Sequence, residues 1–147
     1  METDLDKRYQ TLVVLWFGLL MSVGMYLLVS LFVAPPITGD PEHPTNLILT
    51  VTLTALGVLL VALSFVVKRK LLERSVESQD ISLVQKSLLV ACAMCEVSAV
   101  LGLLQRFLLG NRYYYVLFIF SALGIVLHFP RRIHLQAASY RKQAILN

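Results

Sequence analysis

The sequence predicts an all-α fold: an antiparallel bundle of four transmembrane helices with both termini on the cytoplasmic side. Three observations predict it. Hydrophobic residues make up 57% of the chain and charged residues 15%, against about 45–50% and about 25% in globular domains. The mean hydropathy is +0.73. The apolar residues gather into four runs, each long enough for a hydrocarbon core of about 30 Å, and most of the charge lies between them. In lipid every backbone group must be satisfied within its own segment, so each run is expected to be a helix.

The first helix is expected over about 11–34 (TLVVLWFGLLMSVGMYLLVSLFVA). Its apolar stretch exceeds a signal-peptide core and no clean small-x-small cleavage site follows, so it reads as a retained helix. PPITGDPEHPTN, Pro35 to Asn46, is a loop rich in proline and turn formers. The second helix is expected over about 46–67, capped by Thr45 or Asn46. KRKLLERSVESQDISLVQK, Lys68 to Lys86, mixes charge with leucine and isoleucine. It reads as a solvated linker carrying orientation charges, with a short surface helix as the alternative. The third helix is expected over about 82–109, opened by a capping box of Ser82 and Gln85 and closed by Gly110-Asn111. The fourth is expected over about 113–129 and stopped by Pro130. The basic tail, 130–147, reads as a further short helix. The 147 residues form one membrane domain.

Lysine and arginine in short loops orient such a bundle. Lys7 and Arg8 precede the first helix. Lys68, Arg69, Lys70, Arg74 and Lys86 lie between the second and third, and Arg131, Arg132, Arg141 and Lys142 follow the fourth. Only Arg106 and Arg112 lie near the other side. This bias places the termini and the middle loop in the cytoplasm and argues against dual insertion. The location expected is the cell membrane, as a multi-pass protein of a bacterial inner membrane. The net charge of +4 then serves orientation and attraction to anionic lipid. No interleaved basic and aromatic surface suggests nucleic acid.

One carboxylate interrupts the apolar runs. Glu96, in ACAMCEVSAVLG, lies about a dozen residues from either end of the third helix, near the bilayer midplane. A charge there is costly, and a protonated acid still needs a hydrogen-bond partner. Glu96 is therefore expected to face other helices. The candidate partners at matching depth are Ser22, Tyr26, Thr52, Thr54 and Ser121. Arg106, about 15 Å along the same helix, is out of reach. Beside Glu96 run Ser87, Ala91, Cys95, Ser98 and Gly102. Their spacing of four, four, three and four makes one helix face of small residues, which lets transmembrane helices approach closely.

Cys92 and Cys95 have C-x-x-C spacing but lie inside the membrane. A redox pair needs an exposed helix N-terminus, so they read as small buried hydrophobes. His128 reads as an interfacial or capping residue some 15 Å from Glu96 by helix arithmetic, too far for a shared metal. Tyr113-Tyr114-Tyr115 reads as an outer aromatic belt, and Trp16 as core or interface. No catalytic residue, metal site or cofactor is expected.

From Gln85 to Arg132 (QKSLLVACAMCEVSAVLGLLQRFLLGNRYYYVLFIFSALGIVLHFPRR) the chain resembles a group of bacterial four-helix membrane proteins. Their third helix carries a mid-membrane glutamate among small residues, with a Leu-x-Gly-Asn-like turn and a Pro-Arg following. That stretch is also similar to the carboxylate helix of the rotor-ring proteolipid, the c subunit of ATP synthase. The resemblance implies that Glu96 matches an ion-carrying carboxylate. The chain differs in lacking that family's Arg-Gln-Pro loop and glycine stripe, and in adding a helix on each side.

Two functions follow as expectations. The first is a non-enzymatic helical bundle, a structural or accessory component that associates with itself or with a larger membrane complex. The alternative is proton or cation coupling through Glu96. A thiol–quinone enzyme would need more cysteines near the outer surface than the chain has.

Overall fold

The computed structural model describes residues 2–34 and 44–144, with side chains at 5–34 and 47–138. Among the described residues there are five helices: α1 (Glu2–Phe32), α2 (Pro44–Ser78), α3 (Ile81–Leu109), α4 (Tyr115–Leu127) and α5 (Arg132–Ala144). Three of them, α1, α2 and α3, are long and apolar enough to cross a membrane. At 13 residues, α4 spans only about 20 Å. It is bent by 53° from the start of α5, and the two pass the same test only as one broken span.

The helices exceed the expected runs at the charged end. α1 begins at Glu2 rather than Thr11, and α2 continues to Ser78 instead of ending at Val67. The segment Lys68 to Lys86 is therefore neither a linker nor a separate surface helix. Eleven of its residues, Lys68 to Ser78, prolong α2, and Ile81 to Lys86 open α3. KRKLLERSVES has no glycine or proline to stop a helix, and Arg69 and Glu73 pair across one turn at 2.9 Å.

Two residues join α2 to α3. Gln79 takes a left-handed conformation, φ 52°, and the Asp80 N–H returns to the Ser75 carbonyl at 3.1 Å. Asp80 is the N-cap of α3: its carboxylate accepts from the Ser82 N–H and hydroxyl, both at 2.9 Å. The expected capping box of Ser82 and Gln85 is thus displaced, because the Ser82 hydroxyl is committed to Asp80. These two bonds hold the Asp80 carboxyl below its ordinary value of 3.8. The other end of α3 closes as expected on Gly110, at φ 57°, with the Asn111 N–H on the Gln105 carbonyl at 3.1 Å. α2 already includes Pro44, so Thr45 and Asn46 lie inside its first turn rather than capping it. Their side chains, and the rest of the Pro35–Asn46 loop from Pro35 to Glu42 and His43, lie outside the described residues.

The helices run up, down, up and down. α3 and α4 form the middle of the bundle, with α1 on one side and α2 on the other. Among the described residues α1 and α2 do not pack on each other. The small-residue face of α3 explains its central place: Ser87, Ala91, Cys95, Ser98 and Gly102 are all buried, as expected. A Cβ on Gly57 of α2 would meet Leu117 of α4 at 2.6 Å and the Ser98 hydroxyl at 2.9 Å. A Cβ on Gly124 of α4 would meet Cys95 Sγ at 2.7 Å. At these crossings the backbones approach as closely as small residues allow. The outward faces keep large apolar side chains such as Phe17, Phe32 and Leu108 exposed. In water such a surface would not persist on a monomer; against lipid it costs nothing.

Candidate functional site

Glu96 lies on the side of α3 turned from the small-residue face toward α1. Its carboxylate accepts a hydrogen bond from the Ser22 hydroxyl, and Ser22 also bonds the Leu19 carbonyl at 2.7 Å. Glu96 is half-buried at this seam. Of the five candidate partners, the structure brings Ser22 to it. Tyr26, one turn further along α1, packs at the edge of the apolar core.

The remaining candidates do not bond Glu96. Thr52 is exposed and donates to the Ile48 carbonyl at 2.8 Å. Thr54 donates to the Thr50 carbonyl at 2.8 Å and accepts from Gln105 Nε2 at 2.8 Å. Ser121 is fully buried, and its hydroxyl has no hydrogen-bond partner among the described residues. Depth alone selected these three. The rotation of α3 decides otherwise, because α2 and α4 pack on the Cys95 face, about 100° around the helix from Glu96.

A second polar cluster sits between α2, α3 and α4. Ser64 of α2 bonds His128 Nε2 at 2.8 Å and touches Cys95 Sγ at 3.5 Å. The His128 ring stacks obliquely on Phe65, centroids 4.4 Å apart. Lys68, one turn beyond Ser64, donates to the His128 carbonyl at 2.9 Å. His128 is the C-cap of α4, as one of the expected readings held, but it is buried, 1% exposed, not interfacial. It also lies nearer Glu96's level than helix counting suggested. Gly124 is level with Cys95, so His128 is about one turn away from that level rather than about 15 Å. Cys92 and Cys95 are buried free thiols.

A third cluster ties the start of α2 to the end of α3. The Gln105 amide donates to Thr54 and to the Thr50 carbonyl at 3.1 Å, and accepts from Asn111 at 3.2 Å. Next to it, Arg106 is buried, with its guanidinium 5.5 Å from the Tyr114 ring centre. Tyr114 is therefore no part of an aromatic belt: it packs inward while Tyr113 and Tyr115 stay exposed. Trp16 belongs to the core edge, donating to the Ile125 carbonyl at 2.6 Å and meeting Phe129 edge-on.

Sequence reading missed Ser64, Lys68 and Gln105 as a set. Ser64 and Lys68 are four apart on one face of α2, a signal that spacing could have supplied. Their shared target is the end of α4, which no local pattern reveals. Among the described residues no group of His, Cys, Asp and Glu could hold a metal ion. No family model, curated protein or solved structure matches the chain.

Proposed function

We propose that the chain is a non-enzymatic integral membrane protein of the cell membrane, an accessory helical bundle whose polar groups serve as glue between helices. In this reading α4, with its bend into α5, completes four crossings, and both termini lie in the cytoplasm. The up-down-up-down course supports that topology, since Lys7, Lys68, Lys86 and Arg131 all fall at one end of the bundle. The observation that carries the reading is the Ser22–Glu96 hydrogen bond, which gives the midplane acid a partner on the neighbouring helix. Interhelical hydrogen bonds of this kind contribute about 0.6 kcal/mol on average. The exposed apolar faces of α1 and α2 leave room for self-association or a larger membrane partner.

The partial exposure of Glu96 favours a second reading, proton or cation coupling, in line with the resemblance of α3 to the rotor proteolipid's carboxylate helix. One comparison separates the two. In proteoliposomes, wild type and Glu96→Gln are subjected to a pH gradient and a membrane potential. The glue reading expects equal, background proton movement and unchanged size in native detergent, because the amide keeps a hydrogen bond to Ser22. Proton flux that vanishes in Glu96→Gln would overturn it in favour of coupling.

A further inference from the structure

Where α4 bends into α5, the chain closes over a cleft lined by Leu12, Lys68, Leu72, Ser87, Arg131 and His134. Its volume is about 10 Å³, enough for one water-sized group. Two cations, Lys68 and Arg131, converge on it beside the His134 imidazole, and neither cation has an acidic partner among the described residues. The neighbouring carboxylates are committed: Glu73 holds Arg69 at 2.9 Å, and Asp6 lies 3.3 Å from Arg132. Lys68 donates one bond, to the His128 carbonyl, and an ammonium has three donors. Unopposed positive charge gathered in a cleft is an anion site in search of its anion.

The surroundings select the anion's carrier. Most of the lining is apolar: Leu12, Leu72, Val84, Leu88 and Pro130, with the alkyl stem of Lys68 beside them. Phe129 and Ile133, each two residues from Arg131, expose large apolar side chains. A free phosphate has no use for such a rim, whereas a phospholipid sets its glycerol and acyl chains against it. The end of the bundle richest in lysine and arginine is also the end that meets anionic lipid.

We propose that this cleft binds the phosphate of an anionic phospholipid. One phosphate oxygen enters the cleft and hydrogen-bonds Lys68. Arg131, exposed at the mouth, takes the remaining oxygens, and His134 supplies a third donor. The leaflet assignment rests on the topology proposed above; the site itself does not.

The test uses the purified full-length protein in neutral detergent, with binding measured for phosphatidylglycerol, phosphatidylcholine and inorganic phosphate. Phosphatidylglycerol is expected to bind and to raise Tm, and phosphatidylcholine to do neither. Arg131→Gln should weaken phosphatidylglycerol binding about fivefold, the effect of one cation at an anionic surface. Arg131 makes no side-chain hydrogen bond among the described residues, so its variant should keep the lipid-free Tm; His134→Gln provides an independent second variant and should also weaken binding. Lys70→Gln, an exposed cation outside the cleft, should leave binding unchanged. Equal binding of phosphatidylcholine, or inorganic phosphate binding as tightly as the lipid, would overturn the proposal. So would a loss in Lys70→Gln as large as in Arg131→Gln, which would mean diffuse charge attraction. None of these outcomes depends on proton flux or on which side the termini face.

Discussion

Gly124→Ala probes the tightest crossing in the bundle. A Cβ at this position would stand 2.7 Å from Cys95 Sγ and 3.0 Å from Val61 Cγ1, where carbon pairs prefer about 3.5–4.0 Å. Both neighbours are buried, so neither can swing into lipid. Overpacking of this kind costs about 1–3 kcal/mol. Alanine returns about 1 kcal/mol through helix propensity, which leaves a net loss of about 1 kcal/mol. Cys95→Ala removes the sulfur and leaves a void the size of a methyl group, again costing about 1 kcal/mol. In the double variant the new methyl fills that void, so the two losses should fall short of additive by at least about 1 kcal/mol. Unfolding in mixed micelles with rising SDS measures all four proteins. Trp16, the only tryptophan, reports the α1–α4 contact by fluorescence. If the two losses simply added, the close α3–α4 approach would be wrong.

Four further predictions use the same assay or a simple label. Trp16→Phe keeps the ring against Phe129 but loses the N–H donor to Ile125, and should cost about 0.6 kcal/mol by circular dichroism. Gly110→Ala forces a Cβ into the left-handed region at φ 57° and should cost about 1 kcal/mol in the same SDS titration. The Asp80 carboxyl sits below its ordinary 3.8 in the folded protein, so its cap contributes fully above that value and is lost as pH falls through the lowered one. Below about pH 4 the wild type should therefore lose stability more steeply than Asp80→Asn, whose cap does not titrate; parallel pH curves would refute this. Cys92 and Cys95 should resist a membrane-permeant maleimide in the native protein and react fully in SDS, as counted by mass spectrometry.

Much of the architecture was legible because apolar length and punctuation are local. Gly110 closed its helix where expected, and the four-four-three-four spacing on α3 identified the face that is buried. Helix ends at the charged side were less legible. Charge marks where lipid stops, whereas a helix stops only where the backbone is broken, and α2 meets no breaker before Gln79. The site was half legible. Glu96 and Ser22 could be paired by depth, but Thr54 and Ser121 were equally deep. What separates them is the rotation of α3, fixed by three neighbours far apart in sequence. His128 was misplaced because α4 was counted as a full-length span. Its short helix and 53° bend carry the imidazole inward.

The absence of packing between α1 and α2 among the described residues has a mechanical meaning. Each leans on α3 and α4, so α3 is the shared axle of two half-bundles. Glu96 on one flank faces Ser22, and Cys95 and Gln105 on another face Ser64 and Thr54. A partner that rolled α1 along α3 would turn that axle and disturb both α2 clusters at once. Among the described residues, news of an event on the α1 side reaches α2 not by direct contact but through the helices between them, α3 foremost.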